Sequence, residues 1–171
     1  SPNSIEKAST FENDQLSFRV HDMRTPIANT KFDNILNLFT SFGYFDDIED
    51  NIRVLLSIKQ MLKDEGLFVI DFLNAPKVIQ ELIPYEEKDL DGIHFQISKK
   101  IENGFIVKDI HFKDKNETFD FQEKVQALTI DDFKILFEKV DLELLEVFGN
   151  YDLTPYNKVE SNRLILIGKK K

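Results

Sequence analysis

The chain contains no cysteine. That excludes disulfides, thiolate metal sites and a cysteine nucleophile. It fits a reducing compartment, and a cytoplasmic location is the expectation. Glycine is scarce, with Gly43, Gly66, Gly92, Gly104, Gly149 and Gly168 making up the whole set. No two of them are close enough for a G-x-G-x-x-G turn or a P-loop, so no nucleotide-binding loop of the usual kind lies in the sequence. No apolar run approaches the ~18–20 residues that span a bilayer. Ser1 to Lys7 is too polar for a signal peptide, and no membrane partner is expected. Histidine is limited to His21, His94 and His111, without a Glu at ligand spacing, so no metal is expected. There is no G-x-S-x-G elbow either: Ser41, in Thr40-Ser-Phe-Gly43, lacks the first glycine. Repeats and low-complexity stretches are absent.

What remains is rich in apolar and acidic residues. The 171 residues are 42% hydrophobic, with 16 Phe, enough for one domain of ordinary size with a substantial core. Asp and Glu outnumber Lys and Arg by 31 to 22, a net charge of -9. Such a surface repels phosphate backbones, so duplex nucleic acid is not an expected partner. Lys99, Lys100 and Lys108 could form a local basic patch. Lys99 and Lys100 would point to opposite faces of a strand, which favours a solvated face.

The order of periodicities is α/β. Ser1-Pro2 opens a helix with Ser1 as N-cap. Leu16 to Val20 alternates as a strand ending at His21-Asp22. Asp33 to Phe39 is a nearly continuous apolar run, as in a strand buried on both faces. The acids Asp46, Asp47, Glu49 and Asp50 start a helix that Gly66 should close, before a second buried strand, Leu67 to Leu73. Strand, helix, strand is a parallel βαβ unit. Asn74 can cap a short helix to about Ile83. From about 84 to 128 the period is two, with an Asn103-Gly104 hairpin signal and a polar turn at Lys113–Glu117: an antiparallel β insertion within a single domain, 1–171. Thr129 and Asp132 form a capping box. Strands at Leu142–Phe148 and Arg163–Ile167 follow, with Lys169–Lys171 as a frayed tail.

Ligands of such folds bind at the carboxyl ends of the parallel strands. Asp22 could accept a bond from an exocyclic amine such as that of adenine, or could merely cap a turn. Asn37-Leu-Phe-Thr-Ser-Phe-Gly-Tyr-Phe45 sets a few polar groups in an apolar wall, as a small-molecule pocket requires, or is core aromatics plus a loop. Asp71-Phe-Leu-Asn74 is the third strand end.

These residues resemble the class I S-adenosylmethionine-dependent methyltransferases. Phe32-Asp33 through Phe45 resembles the family's fourth strand and its loop. Leu62-Lys-Asp-Glu-Gly-Leu-Phe-Val-Ile-Asp71 resembles the lead into the fifth. His21-Asp-Met-Arg24 is similar to the end of the third, Ser1–Ala8 to the helix after the second, and Ser161–Ile165 to the last strand. The resemblance implies a Rossmann-like, mostly parallel mixed sheet. It also implies that the Gly-rich first loop and the acidic end of the second strand would precede Ser1, so the chain is expected to be a C-terminal portion with an uncovered sheet edge. It implies S-adenosylmethionine as cofactor, held by Asp22, Met23, Asn37, Leu38 and Phe39. Ser41, Tyr44, Tyr151 and Arg163 would touch the substrate, with His21 or Tyr44 as a general base if one is needed. The reaction implied is methyl transfer to a small-molecule acceptor. The alternatives are a non-catalytic carrier of apolar ligands, or a subunit that forms a homo-oligomer through its sheet edge or its β insertion.

Overall fold

The computed structural model describes all residues from Ser1 to Lys171. The elements run α1 (Pro2–Ser9), β1 (Phe32–Asn37), α2 (Ile48–Met61), β2 (Leu62–Leu73), α3 (Ala75–Gln80) and β3 (Tyr85–Leu90). They continue β4 (Ile93–Glu102), β5 (Phe105–Asp114), β6 (Glu117–Gln126), α4 (Ile130–Lys139), β7 (Leu142–Phe148) and β8 (Arg163–Lys170). The strands make two sheets, ordered β1-β2-β8-β7 and β3-β4-β5-β6. No helix is long and apolar enough to cross a membrane.

The first sheet is mixed. β1 and β2 are parallel, joined by α2 as the βαβ pattern requires, and β8 runs antiparallel between β2 and β7. Asp47 caps α2 by accepting the Glu49 N–H, and Val54, Leu55, Ile58 and Met61 bury one face of that helix. The Thr129–Asp132 capping box starts α4, which brings Phe133 and Phe137 to the core. There Phe68 meets Phe137 edge-to-face at 5.2 Å, and Phe72 meets Phe133 at 5.3 Å.

The second sheet is a meander with three two-residue turns. Asp91-Gly92, Asn103-Gly104 and Lys115-Asn116 all have positive φ, the twist that suits a right-handed hairpin. Its near end is anchored to the first layer by Gln126. The Gln126 N–H donates to the Gly43 carbonyl at 2.8 Å, its Nε2 donates to the Phe45 carbonyl, and its Oε1 accepts from Asn51. Ile106 and Val125 join the common core.

Several expectations need correction. Leu16–Val20 is not a strand, since no neighbouring strand pairs with it and only an isolated bridge, Asn13 to Leu16, forms. β1 is not buried on both faces: it is the edge of its sheet, and Leu36 is 58% exposed. Gly66 does not close α2. The helix stops at Met61, and β2 begins at once with Leu62 opposite Phe32. The ladder then jumps to Leu67 opposite Asn34, so Lys63–Gly66 bulges out, and a Cβ at Gly66 would lie 3.0 Å from the Asp33 carbonyl, so a side chain would crowd it. Asn74 makes no side-chain cap bond. Its amide instead donates to the Lys158 and Ser161 carbonyls and accepts from the Tyr156 hydroxyl. The tail does not fray at Lys169, because β8 continues to Lys170, whose ammonium holds Asp64 at 2.9 Å. β3 went unread inside the insertion.

Candidate functional site

The site grows from the end of β1. Immediately after this strand, Phe39 and Thr40 both adopt left-handed backbone, with φ of 57° and 58°. Non-glycine residues in this region cost of order 1–3 kcal/mol each and persist only where their surroundings dictate them. Here Asp71, 1% exposed on β2, supplies the restraint. Its carboxylate accepts the Phe39 N–H at 2.9 Å, the Tyr151 hydroxyl at 3.0 Å and Arg163 Nε at 2.7 Å. Its carbonyl accepts the Thr40 N–H, and Arg163 Nη2 reaches Thr40 Oγ1 at 3.0 Å. One buried acid and one arginine thus fasten three strand ends together.

Beside this turn lies a cavity of about 440 Å³ between the two sheets. Thr40, Tyr44 and Arg163 form one side, Leu73, Val78 and Leu82 another, and Lys99, Lys108 and Glu123 of the second sheet a third. Ile106 and Val125 make its floor apolar. Burial, and after it the Glu123 charge, raises the Tyr44 phenol above its ordinary range. Tyr44 therefore keeps its proton at neutral pH.

The structure sorts the expected residues. Asn37 and Met23 come together, with Nδ2 3.9 Å from the Met23 sulfur. Asn37 Oδ1 is buried and has no partner. Asp22 lies in a turn with both oxygens on Arg24. These bonds, together with the Arg24 backbone N–H, hold its carboxyl at about 2. Arg24 also reaches Asp50 at 3.0 Å and lies 4.6 Å over the Phe45 ring. Leu38 is half-buried and Phe39 is 77% exposed. Ser41 does not line the cavity, and its hydroxyl is taken by the Leu38 carbonyl at 2.6 Å. Tyr151 is also outside the lining and is tethered to Asp71; burial first, and that bond second, raise its phenol. His21 Nε2 lies against the Thr25 carbonyl at 2.6 Å, within its own turn and away from the cavity. His94 and His111 sit on β4 and β5, each against its own acid, Asp89 and Asp120. The Asp89 bond raises the His94 imidazole.

Sequence reasoning passed over Asp71 as a hub, Thr40, Glu81 and Glu123, and read Lys99, Lys100 and Lys108 as a basic patch or, in preference, a solvated face. Lys99 is not on a solvated face: it lines the cavity and is paired with Glu86. The missing signal was the pairing of Lys99, Lys108 and Glu123 across three strands, which alternation alone does not reveal.

No protein-family model matches the sequence, and no curated protein does. Solved structures do match. A S-adenosylmethionine-dependent methyltransferase from Clostridium acetobutylicum superposes with a TM-score of 0.82 at 20% identity, over 99% of this chain and 69% of that one. The CcbJ methyltransferase from Streptomyces caelestis gives 0.81 at 14% identity, over 96% and 68%. The sugar N-methyltransferase KedS8 from Streptoalloteichus gives 0.77 at 15% identity, over 100% and 68%. The polypeptide thus carries the fold of the S-adenosylmethionine-dependent methyltransferases, as about two thirds of their length, with the β3–β6 sheet covering the end of the parallel strands.

Proposed function

We propose that this chain transfers the methyl group of S-adenosylmethionine to a small-molecule acceptor. The observation that carries the reading is the position of the cavity. It opens at the carboxyl ends of the parallel strands, where this fold class takes its ligands, and its volume of about 440 Å³ suits a small molecule. The residues at the end of β1 fit the cofactor. Asn37 Oδ1 is a buried acceptor lacking a donor, and S-adenosylmethionine carries N–H donors in its ammonium and its adenine amine. Asn37, Met23, Leu38 and Phe39 would hold it, with Asp22 sharing its oxygens between Arg24 and the adenine amine.

When bound, the cofactor supplies a methyl group on sulfur that is already a good leaving group. The work left to the protein is alignment of the two reactants, and proton removal where the acceptor needs it. The Asp71–Arg163 clamp fixes Thr40 against the cavity. Tyr44 offers a hydroxyl donor. Glu81 and Glu123 are the carboxylates that line the cavity and can receive a proton, whereas His21 lies elsewhere.

Calorimetric titration with S-adenosylhomocysteine, with inosine as control, tests the reading. Saturable binding of the adenosyl-homocysteine alone is expected, and Asn37→Ala should weaken it by about tenfold, the worth of one buried hydrogen bond. Absence of binding, or equal binding of inosine, would overturn the reading.

A further inference from the structure

The inner face of the second sheet does not end at the cavity. Lys99, Lys108 and Glu123 lie side by side on β4, β5 and β6 and line it. Two residues further along each strand, on the same face, come Ile97, Ile110 and Phe121. Two further still come Phe95, Phe112 and Phe119. Phe112 and Phe119 stack at 5.0 Å and 16°, and Phe95 joins Phe112 at 4.8 Å. Phe119 and Phe121 lie within 7° of parallel at 6.4 Å. The face is open: Phe121 is 55% exposed, and Leu90 on the neighbouring β3 is 63% exposed. Ile97 beneath it is 8% exposed, so the open apolar part begins where the cavity ends and is continuous with it.

Its size selects the occupant. Three strands at ~4.8 Å and two rows at ~7 Å give a patch on the order of 200 Å², bounded on β3 by Glu86 and Lys88. A stable protein interface needs roughly 800 Å² from each partner. The patch is also continuous with the cavity along one sheet face. The charged row between them is closed on itself, Lys99 with Glu86 and Lys108 with Glu123, so the alkyl stems of the lysines bridge the two apolar regions.

We propose that the acceptor is amphipathic. Its reacting polar end lies in the cavity by Thr40, Tyr44 and Arg163, and its apolar, ring-bearing body extends over Phe112, Phe119 and Phe121. This inference rests on the methyl-transfer reading.

The test uses N-phenyl-1-naphthylamine, an uncharged aromatic probe that brightens when shielded from water. The chain has no tryptophan, so the signal is free of that background. Saturable binding to one site is expected on a chain that sediments as a monomer. Phe121→Ser and Phe119→Ser, both on the edge strand β6, should each weaken the probe by about tenfold, the upper worth of one aromatic contact, and leave S-adenosylhomocysteine binding unchanged. No saturable probe binding, or binding unchanged in both variants, overturns the inference. So does a wild-type dimer that Phe121→Ser dissociates, since a second copy would then cover the face. Failure of S-adenosylhomocysteine to bind the wild-type chain overturns the methyl-transfer reading and removes the acceptor's role from the ligand. Loss of the probe result alone overturns only the apolar body.

Discussion

A carboxylate with 1% exposure needs partners for both its oxygens, and Asp71 has three donors. Asp71→Asn would keep the shape but leave Arg163, 21% exposed, without its counter-charge. We expect a loss of about 3 kcal/mol in urea unfolding, the low end of the range for breaking one side of a buried pair, because Arg163 keeps some contact with water. A cost near zero would mean that water replaces the acid. Asp22 gives a pH prediction. Its folded-state value is depressed to about 2, chiefly by the Arg24 guanidinium. Its contribution to stability is therefore present above its unfolded value and is lost as pH falls through about 2. Carboxyl-carbon NMR should show that midpoint in the wild type and a return toward 3.8 in Arg24→Ala. An unmoved midpoint would remove Arg24 as the cause.

Between elements, the left-handed Phe39–Thr40 pair connects β1 to the cavity. Phe39 is 77% exposed, so Phe39→Gly relieves backbone strain while surrendering little burial. The variant should be more stable by up to about 1 kcal/mol by urea denaturation. If Phe39 also holds the cofactor, its S-adenosylhomocysteine affinity should fall, a trade common at functional sites. A destabilised variant would show that the ring packs on something. Gly168 is the opposite case. A Cβ there would lie 2.4 Å from both the Glu143 carbonyl and the Phe68 ring. Gly168→Ala should cost about 2–3 kcal/mol by overpacking β7, β8 and the core at once, measured in the same denaturation series.

These elements also show what the sequence discloses. The capping box at Thr129, the Asn103-Gly104 turn and the β1–α2–β2 pattern were legible because each is set by neighbours in the chain. The boundary at Met61–Leu62 was not, because a four-residue bulge replaced the expected glycine stop. Site residues divide in the same way. Asn37 and Tyr44 follow from the end of β1, whereas Met23 lies in a turn that no strand precedes. Glu123 and the Asp71–Arg163 bond, 92 residues apart, depend on tertiary pairing that no local period encodes. Ser41 was a candidate through the family resemblance and His21 as a general base, yet each spends its polar group on a carbonyl of its own turn.

At the scale of the whole molecule, two sheets of unlike character divide the labour. The mixed sheet sets the strand ends beside the cavity, and the meander closes the cavity and carries the aromatic face. The two meet through Gln126, which makes three hydrogen bonds across the join. Gln126→Ala would strand the buried Asn51 amide and should cost about 2 kcal/mol by denaturant unfolding while also loosening the cavity wall. Unchanged stability would imply that Ile106 and Val125 alone hold the sheets together.

The meander pairs only strands adjacent in sequence, whereas β2 must find β8, with Leu73 opposite Arg163. Loop closure over so long a segment is slow, while hairpins close in microseconds. The chain should thus assemble its aromatic sheet before its mixed sheet. Pulsed hydrogen exchange during refolding would show β4–β6 amides protected ahead of those in β2 and β8. Simultaneous protection would mean that the meander waits for the core. On the expected schedule, the phenylalanine face is formed and exposed while the layer beside it is still unfolded, and the acidic net charge of -9 then helps to keep such intermediates apart.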